Sequence, residues 1–187
     1  MKIPLRYQNT EYDCGTMSFV NALAYLYERE DIPVKLLKAI YRYTLDVEDG
    51  MGGTSREHAK KLADYFVTYA NSNDSFNIKC KILTKNDVQY ESMKKTLDLG
   101  GVIIARCFLI DEEHYVIITK IDEKYAYIFD PYYLDESYYE NDKDITLVLH
   151  ETFSHNRKVT LNRLFSEELK DFSLLKLPDR QVILITK

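Results

Sequence analysis

The chain has 187 residues, of which 45% are hydrophobic and 29% charged, and it carries a net charge of −5. This length and composition fit one globular domain with a core of its own and argue against disordered, collagen-like and coiled-coil classes. Three cysteines form no disulfide framework, and their odd number leaves at least one free thiol.

The opening residues Met1-Lys2-Ile3-Pro4-Leu5-Arg6-Tyr7-Gln8 contain no apolar core of signal-peptide length. The longest strongly apolar runs, 102–105 and 182–185, are too short to span a bilayer. The expectation is a cytoplasmic protein with reduced thiols and no membrane insertion. Charge is localised: residues 130–144 hold six acids and one base, so the remainder of the chain is neutral overall. No basic stripe marks a nucleic-acid partner. The short basic stretch Asn156-Arg157-Lys158 reads as solvated surface.

Taken in chain order, helices come first. Residues 14–29 carry apolar groups at Met17, Val20, Leu23, Ala24 and Tyr27, a helical stripe, with Asp13 as N-cap. Residues 34–43 read as a second, shorter helix, and 50–53 as a glycine-rich loop. Thr54 opens a third helix, with Thr54 and Glu57 in the spacing of a capping box. Its stripe runs through Ala59, Leu62, Ala63, Phe66, Val67 and Ala70. Residues 77–83 alternate like a strand, and 87–99 look helical again.

From Gly101 the pattern changes. Residues 102–110, 114–121 and 125–129 are short runs rich in Ile, Val, Tyr and Phe, separated by acidic turns, and predict an antiparallel meander. The stretch 132–144 is an acidic, tyrosine-rich loop. Further strands are expected at 146–149 and 182–186, with a short helix at 161–169. Helices followed by an antiparallel sheet predict an α+β fold in a single domain over 1–187.

Cys14 lies in Gln8-Asn9-Thr10-Glu11-Tyr12-Asp13-Cys14-Gly15, at the expected first turn of a helix. The positive end of a helix stabilises a thiolate and lowers the thiol pKa. Gly15 leaves room beside the sulfur for a substrate. Gln8 lies in a segment that can fold back over the helix start, where its amide and the Cys14 N–H would together hold an oxyanion. A small, inert buried thiol fits the same position.

His114 opens the strand His114-Tyr115-Val116-Ile117-Ile118, and a following strand ends in Phe129-Asp130-Pro131. If Asp122, Glu123 and Lys124 form a three-residue loop, Ile121 pairs with Tyr125 and Val116 with Asp130. His114 and Asp130 are then diagonal neighbours on one face. A carboxylate there accepts the imidazole N–H and leaves the other nitrogen for a thiol. A two-residue loop would put the two on opposite faces. A strand-end histidine and a turn aspartate are the plainer alternative.

The remaining candidates read as structural. Cys80 and Cys107 lie in strand-like runs and read as core or sheet residues, His58 lies in a polar helix turn and reads as solvated, and His150 and His155 lie beside a loop. Residues 111–113 read as an acidic hairpin turn. No CxxC pair or closely spaced histidines offer a zinc site, and the 50–53 loop lacks the Lys-Ser/Thr of a phosphate loop. No metal and no cofactor are expected. The 132–144 loop, with Tyr132, Tyr133, Tyr138 and Tyr139, directly follows Asp130. It reads equally as a cleft rim that favours cationic or extended peptides and as a solvated loop.

Gln8 through Gly15, with Gln six residues before a Cys inside Asp-Cys-Gly, resembles the start of the bacteriocin-processing, double-glycine leader peptidases. These are cysteine peptidases of papain-like fold. Three later segments agree in order and rough spacing: Gly53-Thr54-Ser55 with its helix, 101–106 followed by His114-Tyr115-Val116-Ile117, and Tyr127-Ile128-Phe129-Asp130-Pro131. The resemblance covers roughly 1–131. It implies Cys14 as nucleophile, His114 as base, Asp130 as orienting residue and Gln8 as oxyanion donor. The implied function is a thiol peptidase that processes a leader or short peptide through an acyl-enzyme. The same machinery would serve a Cys-His acyltransferase, and relatives that lose activity keep the cleft as a peptide-binding module. The family usually precedes an exporter, but no transporter segments follow here. A stand-alone domain is expected, with any exporter partner a separate chain and a peptide or acyl-type substrate.

Overall fold

The computed structural model of the chain describes residues 1–135 and 137–187, so Glu136 of the acidic stretch lies outside the described residues. The apolar stripes become helices α1 (Cys14–Leu26), α2 (Val34–Tyr43) and α3 (Arg56–Asn71). They are followed by strand β1 (Lys79–Thr84) and helix α4 (Tyr90–Asp98). The β-rich half forms β2 (Val102–Leu109), β3 (Glu112–Ile121), β4 (Tyr125–Phe129), β5 (Ile145–Leu147) and β6 (Arg157–Thr160). A single helical turn, α5 (Leu161–Leu164), and the strand β7 (Gln181–Thr186) complete the chain. All seven strands join one antiparallel sheet in the order β1-β7-β2-β3-β4-β6-β5.

The two faces of this sheet build two cores. Phe19, Leu23, Ile40, Leu62 and Phe66 of α1–α3 pack on Ile104, Tyr115, Ile117 and Ile185. Met93 and Leu97 of α4, with Leu164, Phe172 and Leu174, pack on Ile103, Ala105, Val116 and Ile118. Because both faces are covered, β2, β3 and β7 read as nearly unbroken apolar runs instead of alternating with polar residues. The expected α+β class with helices against an antiparallel sheet is what the chain adopts.

Helix α1 is the pivot of the first core. Every residue in it except Tyr25 is buried, so it lacks the polar face of a surface helix. Of its buried polar side chains, Asn21 and Thr16 are matched, whereas the Ser18 hydroxyl has no hydrogen-bond partner. Asn21 accepts from the Arg6 N–H at 2.8 Å and donates to the Arg6 carbonyl at 2.9 Å, which ties the 5–8 segment along the helix. The Thr16 hydroxyl bonds that of Thr44 at 2.8 Å.

Several local expectations are corrected. Helix α1 ends at Leu26 rather than 29, and α5 is one turn rather than 161–169. The third helix is capped by Ser55, whose side chain accepts from the His58 N–H at 3.2 Å, and not by a Thr54–Glu57 box. Thr54 instead faces α1, where a Cβ on Gly15 would lie 2.5 Å from its Oγ1. Gly15 therefore makes room for Thr54 rather than for a substrate. The basic stretch 156–158 is no solvated surface: Asn156 and Arg157 are buried and β6 begins there.

The β3–β4 hairpin reaches its expected facing by another route. Asp122 N–H bonds the Tyr125 carbonyl at 3.0 Å around a two-residue turn, and Ile121 pairs with Ala126. That turn alone would put His114 and Asp130 on opposite faces. A bulge at Thr119 restores the parity, since Ile118 pairs with Ile128 while Lys120 pairs with Tyr127. The Thr119 carbonyl accepts from the Tyr25 hydroxyl at 3.3 Å, which fixes the bulge to α1.

The tight Gly15–Thr54 contact gives a measurable expectation. Gly15→Ala should destabilise the fold by about 1–3 kcal/mol in urea denaturation. Thr54→Gly in the same chain should recover part of that loss, so that a double-mutant cycle shows coupling.

Candidate active site

The site forms where the start of α1 meets the ends of β3 and β4. Cys14 is the first residue of α1 and is 8% exposed. The Asp13 side chain does not cap this helix. It turns back and accepts from Asn9 N–H at 3.1 Å, Thr10 N–H at 2.8 Å and Thr10 Oγ1 at 2.8 Å. The first helical bond runs from Met17 N–H to the Asp13 carbonyl. The N–H groups of Cys14 and Gly15 thus remain directed out of the helix beside the sulfur.

His114 and Asp130 meet as the hairpin parity requires, with His114 Nε2 2.7 Å from Asp130 Oδ1. Asp130 is 0% exposed, and its surroundings are built to hold a charge there. Its Oδ1 also accepts from the Tyr132 N–H at 2.9 Å. Its backbone is gripped from both sides by Asn156: Asp130 N–H donates to Asn156 Oδ1 at 2.8 Å, and Asn156 Nδ2 donates to the Asp130 carbonyl at 2.8 Å. The Arg157 guanidinium, 1% exposed, lies 3.8 Å from Asp130 Oδ2 and donates to the carbonyls of Tyr132 and Asn156. Sequence reasoning missed both residues, because an Asn-Arg-Lys string looks solvated. The signal available was the alternation Arg157, Val159 against Lys158, Thr160, a strand period with an arginine on its buried face.

With Nε2 on the carboxylate, Nδ1 is the ring nitrogen left for the thiol, and Cys14 and His114 line the same cleft. Burial alone pushes the Cys14 thiol up. The charge and hydrogen bond of His114, with the N–H groups of Tyr115 and Gly15, outweigh it and hold the thiol below its ordinary value. Burial alone pushes the His114 imidazole down, and the charges of Cys14 and Asp130 reverse that and raise it. Both directions favour a thiolate–imidazolium pair. The other two thiols differ. Burial pushes Cys80 up to about 12, and raises Cys107, which sits opposite His114 across β2–β3, well above its ordinary value.

Cys14 borders two clefts. One, of about 670 Å³, is walled by Val47, Glu48, Met51, Arg56, Arg106 and Tyr115 among others. The second, of about 290 Å³, is lined by Leu109, Ile110, His114 and Tyr132. Glu11, Tyr12, Glu112 and Glu113 border both. An extended chain crossing from one to the other would pass the sulfur.

Gln8 is close in sequence but differently engaged. Its Nε2 donates to the Thr10 carbonyl at 2.7 Å. His58 is not simply solvated: its Nδ1 is 3.2 Å from the Tyr43 carbonyl and 3.6 Å from Asp46. Among the described residues, no carboxylate of the 132–144 loop lines either cleft. Asp142 and Asp144 pair with Arg163, Tyr139 is buried on Asp171, and from the loop Tyr132 is the residue in the cleft wall among those described. The cleft acids come instead from Glu11, Glu48 and the 112–113 pair at the start of β3.

Compared with known proteins, the chain matches no family model and no curated protein. Among the described residues no group of His, Cys, Asp and Glu converges as a metal site, and no helix is long and apolar enough to cross a membrane.

The grip on Asp130 has a testable cost. Asn156→Ala should destabilise the protein by about 1–3 kcal/mol, because the buried Asp130 N–H and carbonyl lose their partners. Arg157→Met should cost about 3 kcal/mol or more by leaving the Asp130 carboxylate uncompensated. Chemical denaturation of both variants checks this.

Proposed function

We propose that the chain is a thiol peptidase of papain-like fold, related to the bacteriocin-processing leader peptidases, which cleaves a leader or short peptide through an acyl-enzyme. The observation that carries this reading is the alignment of Cys14, at an uncapped helix start, with the buried His114–Asp130 pair at 2.7 Å. The reading includes a cytoplasmic setting, where the three free thiols stay reduced, and an exporter, where one is used, as a separate chain.

The chemistry follows from the charges. The Cys14 thiolate attacks the scissile carbonyl carbon, and the C=O electron pair moves onto oxygen. The Cys14 N–H receives that oxyanion, joined by the Gln8 amide once it leaves Thr10. Asp130 holds Nε2–H, so the proton on Nδ1 is the one delivered to the leaving amine nitrogen as the C–N bond breaks. The thioester is then attacked by water whose proton His114 takes, and the acid and the thiolate are released.

Alkylation by iodoacetamide tests the ion pair directly. At pH 6 the wild-type protein should be modified at Cys14 in preference to Cys80 and Cys107. His114→Ala should slow this by on the order of a hundredfold, since a thiol of ordinary pKa is almost wholly protonated there, and the loss should shrink as pH rises. Equal slow labelling of all three cysteines would sink the reading. In turnover assays Gln8→Ala should lower kcat by on the order of 10²–10³ if its amide serves the oxyanion. Product analysis with and without added amine separates hydrolysis from acyl transfer.

A further inference from the structure

We infer that the smaller cleft beside Cys14 is the subsite for the residue that follows the scissile bond, and that it selects an apolar side chain there, with Ile110 as the specificity-determining residue. This rests on the peptidase reading of the same site and names the class of its leaving half.

Which half of the substrate lies where follows from His114. Both clefts reach the sulfur, but His114 lines the smaller one and not the larger. The imidazole proton passes to the leaving nitrogen, and proton transfer needs the two within hydrogen-bond reach. The leaving nitrogen and the side chain next to it therefore lie on the His114 side of the sulfur, in the smaller cleft.

The walls of that cleft supply apolar surface. Leu109 is buried, Tyr132 is half-buried, and Tyr12 and Ile110 stay 41% and 42% exposed. Large apolar side chains left open around one concavity mark an interaction site. Two of the three carboxylates at its border are engaged: Glu11 accepts from the Tyr132 hydroxyl, and Glu113 is ion-paired with Arg106. Glu112 remains, and its charge disfavours an acidic side chain.

Backbone strain at Ile110 is an independent observation. Leu109 pairs with Glu112, so Ile110 and Asp111 alone make the turn between β2 and β3. Both are left-handed, with φ of +47° and +64°. Two-residue turns of this hand favour Asn-Gly or Asp-Gly, and a β-branched residue there is an outlier. The turn is braced from outside: Ile110 N–H donates to Asp171 Oδ1 at 3.0 Å, and Asp171 Oδ2 accepts from the Tyr139 hydroxyl at 2.9 Å. Strained residues held by their surroundings gather at ligand clamps. What isoleucine adds over asparagine at this position is an apolar side chain at the edge of the cleft.

Acyl-transfer partitioning tests this without a natural substrate. Acetylglycine p-nitrophenyl ester acylates Cys14 and releases nitrophenol. An added amine then competes with water. Its nitrogen attacks the thioester carbonyl, the C–S bond breaks, Cys14 leaves as thiolate, and His114 takes the amine proton. This step is the reverse of amine departure, so the amine occupies the leaving-group subsite. The α-amides of leucine, alanine, lysine and glutamate are compared by the ratio of amide to acid product, after subtraction of the Cys14→Ala background. Leucine should exceed alanine roughly five- to tenfold, about what half-burial of its three extra carbons supplies, with glutamate lowest. Ile110→Asn should bring the leucine-to-alanine ratio toward unity while raising the urea midpoint of unfolding, because the strain is relieved. Absence of Cys14-dependent nitrophenol release would overturn the peptidase reading. Normal release with equal leucine and alanine ratios, with lysine or glutamate ahead of leucine, or with no amide product would overturn the apolar subsite alone. Full retention of the leucine preference in Ile110→Asn would overturn the role of Ile110.

Discussion

A carboxylate removed from water must be neutralised by its neighbours or give up its charge. Asp130 meets the first condition in part: His114 and the Tyr132 N–H take one oxygen, Arg157 lies 3.8 Å from the other, which has no hydrogen-bond partner, and Asn156 clamps the backbone on both sides. The consequence runs outward. Asp130 fixes the imidazole, the imidazole lowers the Cys14 thiol, and the thiol gives the uncapped helix start a chemical purpose. Remove the grip on this one side chain and the rest is an ordinary antiparallel sheet with a helix end against it.

The helix start is defined from the other direction by steric fit. Gly15 lets Thr54 approach α1, Gly53 adopts a φ of +76° under the Tyr12 carbonyl, and Asn21 holds the 5–8 segment along the helix. Asp13, the residue best suited to cap α1, spends its oxygens on the 9–10 turn. The free N–H groups beside the sulfur are a product of that choice.

Much of this was legible in the sequence, in unequal measure. Element types followed from periodicity, as with 34–43 and 125–129, whose bounds match the folded α2 and β4. Cys14, His114 and Asp130 were legible as a group because each sits near an element end, where residues from different elements can converge. Their shared facing was reached through two compensating departures, a shorter turn and a bulge at Thr119, and neither leaves a mark in side-chain pattern. Asn156 and Arg157 were illegible for a different reason. A buried arginine has the same letter as a solvated one, and its role appears only when Asp130 is placed against it. Likewise the acids of 132–144 announced themselves by density, yet Arg163 holds two of them, whereas the less conspicuous Glu48 and Glu112 face the cleft.

The sheet order has a consequence for how the protein comes into being. β7, the last strand in the chain, lies between β1 and β2. While the ribosome is still making residues 130–180, Ile104, Val102 and the helices above them have no β7 to close against. Long-range pairing of this kind delays folding until both partners exist. Cys14 is made early, and throughout that interval the β2–β3 pair that carries His114 lacks its β7 neighbour. The lowering of the Cys14 thiol comes chiefly from His114 and Tyr115 of β3, so it belongs to the assembled sheet rather than to the helix that bears the sulfur.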